Sequence, residues 1–485
     1  MCQVCYSTLP SIGMVRYCRC GAPETQAAMR RIEADLSRRQ MIGGMAAVVG
    51  MFAGFGLAPK EVRAQTPGKP LLLTNLRLFD GENLSMRQDV DILVEGGRIV
   101  SLVARGQGPA DADRIDCGGR NVIPGLIDMH WHTTLVAVSQ IAAMTQDIGF
   151  LHLMAGREAG ATLMRGFTTV RDVGGPAFGL QAAINRGVVD GPRIFPSGAM
   201  LSQTSGHGDF RFSNTLPVMP GDPADYAQAQ GMSAIADGVA EVLRRTREQL
   251  MKGATQIKIN AGGGVASQYD PLDSTQFTED EVRAAVDAAS DWNTYVCAHV
   301  YTPKGIQRCI KAGVKSIEHG QLADEDTVKM MADNGTWWSI QPFLADEDAN
   351  QYTDPKAIAG QKLVAEGTVR AFELAKKYSV NWAFGTDILF AGTGESQGRQ
   401  LAKIARFVSP LEALHRATGA AGKLLALSGP RSPYDGQLGV IAENALADIL
   451  VVDGDPETDL AWLGDPNNMR LIMKGGRIHK NSLGA

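Results

Sequence analysis

The chain has 485 residues, 44% of them hydrophobic and 20% charged, with a formal net charge of −5. That length excludes a single small core; at about 150 residues per domain it suggests three domains, unless one of them is a large α/β barrel. The mildly acidic balance argues against nucleic acid as a partner, which would favour a basic surface.

Residues 1–65 differ from the rest. Arg38 and Arg39 precede a run from Met41 to Leu57 that carries no charge and is rich in Gly and Ala, and the segment closes near Val62-Arg63-Ala64, a small-residue pattern. A basic region, an apolar region and a small-residue exit together read as a secretory signal. Ser37-Arg38-Arg39 ahead of a weakly apolar, Gly-rich run suggests the twin-arginine kind. The expectation is a periplasmic or secreted protein that meets a membrane only through this signal. A retained membrane anchor is the alternative, although the run is short for a spanning helix. Cys2, Cys5, Cys18 and Cys20 have a spacing that could hold zinc. Met29 opens a more ordinary signal, however, so these four are expected to be incidental. Cys117, Cys297 and Cys309 would remain after cleavage; an odd number implies buried thiols rather than a disulfide framework.

From Gln65 onward, LLLTNLRLFD, DILVEGGRIV and RNVIPGLID read as strands, with a hairpin at Gly96-Gly97. LADILVVDGD and RLIMKGGRIHK repeat that texture near the other end, with a turn at Gly475-Gly476. Between them, short apolar runs (TQIKIN, TYVCAHV, KSIEHG, TWWSIQP, NWAFGTD) alternate with helical patterns such as TEDEVRAAVDAASDW. Such alternation predicts an α/β fold, a (β/α)8 TIM barrel over residues 123–428. The two ends, 66–122 and 429–485, are expected to form a small β-sandwich domain together.

In a barrel of this kind the active site lies where the strands end. Read in order, the strand ends offer His130 and His132 in DMHWH, Lys258 inside TQIKIN, His299 in VCAHV, His319 in SIEHG and Asp387 in AFGTD. Residues two apart on a strand share a face, so His130 and His132 converge, as a metal ion requires. Each residue alone has a plainer reading: a packed histidine, a helix N-cap for Asp387, a snorkelling lysine for Lys258. Four of the eight histidines in one structural slot make the plainer readings harder to hold together. His152, His415 and His479 read as structural, and Trp337 and Trp338 as core.

Through PGLIDMHWH, GFTTVRDVGG, GPRIFPSG, IKINAGGG, SIEHG, GTD and LADILVVDGDP, spread over most of residues 70–482, the sequence resembles the amidohydrolase superfamily. SQTSGHGDF, IKINAGGG and AGVKSIEHG are similar to its branch of imidazolonepropionase-like enzymes, Xaa-Pro dipeptidases and ochratoxin-hydrolysing amidases. The resemblance implies two divalent metal ions, most readily Zn²⁺, with Mn²⁺, Fe²⁺ or Co²⁺ also suited to nitrogen and oxygen ligands. It places His130, His132 and Asp387 on one ion and His299 and His319 on the other. Lys258, as a CO2-derived carbamate, bridges the two. Burial favours the neutral amine that carbamate formation needs. Asp387 is then also the catalytic proton acceptor. His207, in its Gly-flanked loop, is implied as the donor to the carbonyl oxygen; Tyr269, after AGGGVASQ, has two readings from its position, a hydrogen-bond partner of a substrate carboxylate or a packing or interface tyrosine. The implied reaction is metal-assisted hydrolysis of a linear amide, of the dipeptide or N-acyl amino acid type, ochratoxin A included. Opening of a cyclic amide, as by imidazolonepropionase, or cleavage of a lactone or ester is the alternative, since the same ligands serve all of these. A metal-free scaffold or binding protein would have lost ligands. A homo-oligomer is compatible with the resemblance.

Overall fold

The computed structural model describes residues 69–215, 223–265, 267 and 269–484. The signal-like segment and its four cysteines lie outside the described residues. Among the described residues, no helix is long and apolar enough to cross a membrane.

Leu71–Thr74 (β1), Arg77–Leu78 (β2), Val90–Glu95 (β3), Arg98–Ala104 (β4), Asp113–Asp116 (β5) and Asn121–Pro124 (β6) come first. A four-stranded sheet takes the order β4-β3-β1-β5, with the β3–β4 turn at Gly96-Gly97. The parallel strands follow: Leu126–Trp131 (β7), Phe167–Asp172 (β8), Arg193–Pro196 (β9), Met200–Ser202 (β10), Ser233–Ile235 (β11), Ile257–Asn260 (β12), Val296–Val300 (β13), Ser316–His319 (β14), Trp337–Ile340 (β15) and Trp382–Phe384 (β16). They form one sheet in the order β7-β8-β9 and another in the order β11-β10-β12-β13-β14-β15-β16. β9 and β10 are separated by only three residues, so the chain passes directly from the first sheet to the second. Ile449–Val452 (β17), Met469–Lys474 (β18) and Arg477–Asn481 (β19) complete a five-stranded sheet, β19-β18-β17-β6-β2. β17 runs antiparallel to β6, which puts the two ends of the described chain in one sheet.

Local signals explain most of the parallel region. β12, β13 and β14 are buried at every position, as strands covered on both faces must be. The helix Glu279–Asp291 opens on a reciprocal Thr278–Glu281 capping box. Pro303 begins Pro303–Ala312, and Gly313 ends it with φ +99°, the left-handed cap that glycine adopts without penalty. The largest core cluster joins the inner strands to these helices through residues such as Ile257, Ile259, Val282, Val296 and Ile306. Arg193 ties the parallel strands to the two-ended sheet through Asp448, 3.0 Å away.

Candidate metal centre at the ends of the parallel strands

The strand register assembles the site. Asn260 pairs with His299, and His299 with Glu318. Because side chains alternate along a strand, Lys258, His299 and Glu318 face the same side. His319 would then face away, but its backbone is left-handed, with φ +72°. That conformation is uncommon outside glycine, and it lets His319 join Glu318 at the site although the two are adjacent in sequence. Asp387, just past β16, is left-handed as well, with φ +55°. It is held by its own N–H, which donates to the His130 carbonyl oxygen at 2.8 Å. Beneath it, the buried Asp128 carboxylate accepts from His130 N, Thr386 N, Thr386 Oγ1 and Gln397 Nε2. This clamps the end of β7 to the segment after β16.

The six residues expected at strand ends converge. Nε2 of His130 and of His132 lie 3.2 Å and 3.3 Å from Asp387 Oδ1. His319 Nδ1 is 4.0 Å from Asp387 Oδ2. The His299 ring meets the His319 ring with centroids 4.4 Å apart, and Lys258 Nζ is 3.5 Å from His130 Nε2. Lys258 is only 2% exposed. Among the described residues, ligand atoms of His130, His319 and Asp387 lie within 4.8 Å of one another, a spacing that could hold a metal ion. The rings are oriented from behind. Nδ1 of His132 meets the Gly174 carbonyl oxygen at 2.9 Å, Nδ1 of His319 meets Gln341 Oε1 at 2.9 Å, and Nε2 of His299 meets the Gly263 carbonyl oxygen at 3.2 Å. Outer partners of this kind fix the ring that a metal ligand must present.

Burial sets the charge states. It holds His299 and His319 well below the ordinary imidazole value, and it lowers Lys258 from the usual lysine range. Burial pushes the Asp387 carboxyl upward, but His130, the hydrogen bonds from His130 and His132, and His319 outweigh it, leaving it well below the usual carboxylate range. The cluster therefore offers the neutral imidazoles of His299 and His319 and the carboxylate of Asp387, donor forms that a divalent cation takes.

His207 and Tyr269 lie on loops. The His207 ring stacks on His299 with centroids 3.8 Å apart, and its Nδ1 is 3.0 Å from Ser267 Oγ. A Cβ at Gly264 would stand 2.1 Å from the His207 ring, so this approach requires glycine. Tyr269 lines the same cavity, of about 700 Å³, as all six strand-end residues and His207. His415 instead bonds the Gly81 carbonyl oxygen at 2.7 Å, His479 pairs with Asp190 at 3.4 Å, and His152 sits in the helix Ile148–Met164. None of these three lines the cavity, nor do Trp337 and Trp338.

Three residues escaped the sequence reading. Glu318 accepts from both Arg171 Nη2 (2.6 and 2.7 Å) and His130 Nδ1 (2.9 Å). Burial raises the Glu318 carboxyl, but Arg171 and then His130 outweigh it and hold it far below the carboxylate range. Arg171 lies in the quoted GFTTVRDVGG and is fully buried; a charge inside an apolar strand run was the available signal. Tyr301 stacks on His319 with centroids 5.0 Å apart, and its place two residues after His299 put it on the same strand face.

The sequence matches the profile of the amidohydrolase family over residues 121–479. This chain belongs to the amidohydrolase family. Ochratoxinase of Aspergillus niger is 34% identical over 329 residues, 66% of this chain and 66% of that protein, so the match spans just under two thirds of that relative. The crystal structure of a prolidase complexed with N-methylphosphonate-L-proline superimposes with a TM-score of 0.76 at 35% identity, covering 85% of this chain and 100% of that one. A Xaa-Pro dipeptidase with bound methionine in its active site gives 0.71 at 31% identity, covering 85% and 100%. These amidohydrolases share a TIM-barrel type of fold, and the kinship supports a hydrolase acting on amide or peptide bonds of small molecules. The family is in general metal-dependent, and the donor set above suits a metal.

Proposed function

We propose that this amidohydrolase cleaves a linear amide, of the dipeptide or N-acyl amino acid type, with ochratoxin A among the candidates. The observation that carries this reading is the convergence of His130, His132, His299, His319, Lys258 and Asp387 on one cavity. His130, His132 and Asp387 would hold one divalent ion and His299 and His319 a second, with Lys258 as a carbamate between them. Zn²⁺ is the ion best matched to these donors. When bound, such ions acidify a water and polarise a carbonyl. Asp387, in reach of both His130 and His132, accepts the proton of the attacking water and returns it to the leaving nitrogen. His207, fixed by His299 and Ser267, donates to the carbonyl oxygen as its charge grows. Tyr269 meets the substrate carboxylate.

The same proposal extends to the architecture. The hydrogen bond from Asp387 N to the His130 carbonyl oxygen supports closure of the parallel strands into an eight-stranded barrel within 123–428, with β9 and β10 as one interrupted strand and β11, paired only with β10, outside the barrel. The pairing of β17 with β6 supports 66–122 and 429–485 as the two parts of a β-sandwich. The signal-like N-terminal segment supports export by the twin-arginine route.

The test is release of free amine from dipeptides, N-acyl amino acids, ochratoxin A and cyclic amides by the zinc-loaded chain, with and without chelator. Chelator-sensitive cleavage of the linear amides is expected. Cleavage of cyclic amides alone, or activity indifferent to chelator, overturns the reading.

A further inference from the structure

The cavity over the strand ends is lined by both polar and apolar side chains. Asn260, Ser267 and Tyr269 line it from the segment that follows Lys258. Its apolar lining includes Ile141 and Met144 from the segment after β7, Phe210 and Phe212 from that after β10, and Leu389 and Phe390 from that after β16. Met144, Phe210, Leu389 and Phe390 pack against one hydrophobic cluster that includes Leu135 and Val138. Phe210 and Phe390 meet edge to face with centroids 6.5 Å apart. Ile141 is 69% exposed and Phe212 54% exposed. Apolar side chains left open at the mouth of a functional cavity are the usual mark of a binding surface.

The charges lining the cavity away from the strand ends are already paired. Asp209 holds Arg211 through two contacts of 2.7 and 2.5 Å. Lys403 lies 2.6 Å from Asp346 and 2.7 Å from Asp348, and Arg399 is 2.7 Å from Asp348. Among the described residues, no carboxylate lining the cavity away from the strand ends is left without a cationic partner to receive an incoming ammonium, and burying an unpaired ammonium is costly. A carboxylate on the amine half of a linear amide needs hydrogen-bond donors, which Ser267 and Tyr269 provide. The acyl half is left to the apolar lining.

We infer that Ile141, Met144, Phe210, Phe212, Leu389 and Phe390 form a subsite for a bulky, uncharged acyl group, so that the site takes N-acyl amino acids with aryl or branched acyl groups in preference to dipeptides bearing a free α-ammonium. The inference rests on the linear-amide reading above. The test compares N-acetyl-, N-benzoyl- and N-(2-naphthoyl)-L-phenylalanine, and Phe-Phe with its N-acetylated form, by kcat/KM on the zinc-loaded chain. Binding of the acetyl and naphthoyl compounds is measured in parallel by calorimetry. The naphthoyl compound is expected to exceed the acetyl one by about tenfold or more, within what apolar pockets discriminate, and N-acetylation is expected to improve Phe-Phe. Ile141→Lys, at an exposed position that does not threaten folding, and Phe390→Ala should each compress the naphthoyl-to-acetyl ratio. Turnover with a flat acyl series overturns the subsite and leaves the linear-amide reading standing. No turnover of any linear amide overturns that reading; naphthoyl binding tenfold above acetyl, weakened in Ile141→Lys, would then still support the subsite, and equal binding would overturn it.

Discussion

Two buried lysines are treated in opposite ways. Lys474, at the end of β18, donates to the Gly191 carbonyl oxygen and lies where Asp448 and Asp190 favour its charge. Burial nevertheless lowers it to about 8. Lys258 is more deeply buried, and its Nζ faces an imidazole nitrogen, His130 Nε2, rather than an oxygen acceptor. The nearby Glu318 carboxylate is already bound by Arg171 and His130. Burial lowers this lysine too, although Cys297, Glu318 and Asp387 favour its charge. The contrast teaches what each region is built for. The junction with the two-ended sheet gives its lysine an acceptor and so keeps it as a structural donor. The strand-end cluster sets its lysine against an imidazole nitrogen and leaves burial as the largest influence on its charge.

The largest expected effect breaks this comparison at Lys258. Lys258→Ala should lose bound metal, with turnover falling at least about a thousandfold. Short carboxylic acids with excess metal should restore part of it. Lys474→Met should keep its metal. Elemental analysis of both proteins decides the matter, and full metal content in untreated Lys258→Ala removes the bridging role. Next, Asp387→Asn should lower kcat by about 10²–10⁴-fold, the range of a lost general base, with an unchanged circular dichroism spectrum. Near-normal turnover would take Asp387 out of the proton path.

Arg171→Met sharpens the contrast from beneath the site. It strands the fully buried Glu318 carboxylate and should cost about 3–5 kcal/mol, read as a lowered denaturant midpoint. Arg171→Met with Glu318→Gln together should recover much of that loss; a double variant as unstable as the single one would show that the pair is not the cause.

The smallest effect belongs to Lys474. Its folded value of about 8 lies below the unfolded lysine value of about 10.4. Between the two, the unfolded chain holds more protons, so this side chain makes stability rise as pH climbs through that window. The rise amounts to at most about 3 kcal/mol at 1.36 kcal/mol per pH unit. Lys474→Met should lack it. Urea midpoints at pH 7.5 and pH 10 measure the difference, and equal slopes in both proteins would refute the assignment.

Much of the candidate site was legible because its residues follow strand periodicity. His130 and His132 are two apart at the end of an apolar run, and Lys258 and Asp387 interrupt apolar runs where nothing else polar is needed. Glu318 was not legible for the same reason. Alternation assigns it the face opposite His319, and only the left-handed backbone at His319 brings both to one place. No side-chain pattern announces that conformation in a histidine. Arg171 could have been suspected as a charge in an apolar strand, but its partner is 147 positions away.

The sequence by itself determined the alternation of strand and helix, the polar residues at strand ends and the kinship they express, because these depend on residue type at short, regular spacing. The tertiary structure alone decided which strands are neighbours, that β17 joins β6, that Glu318 and Arg171 underpin the cluster, and that Asp209, Asp346 and Asp348 at the cavity are paired with Arg211, Lys403 and Arg399. Such facts depend on contacts between residues far apart in the chain, and local spacing carries no information about them.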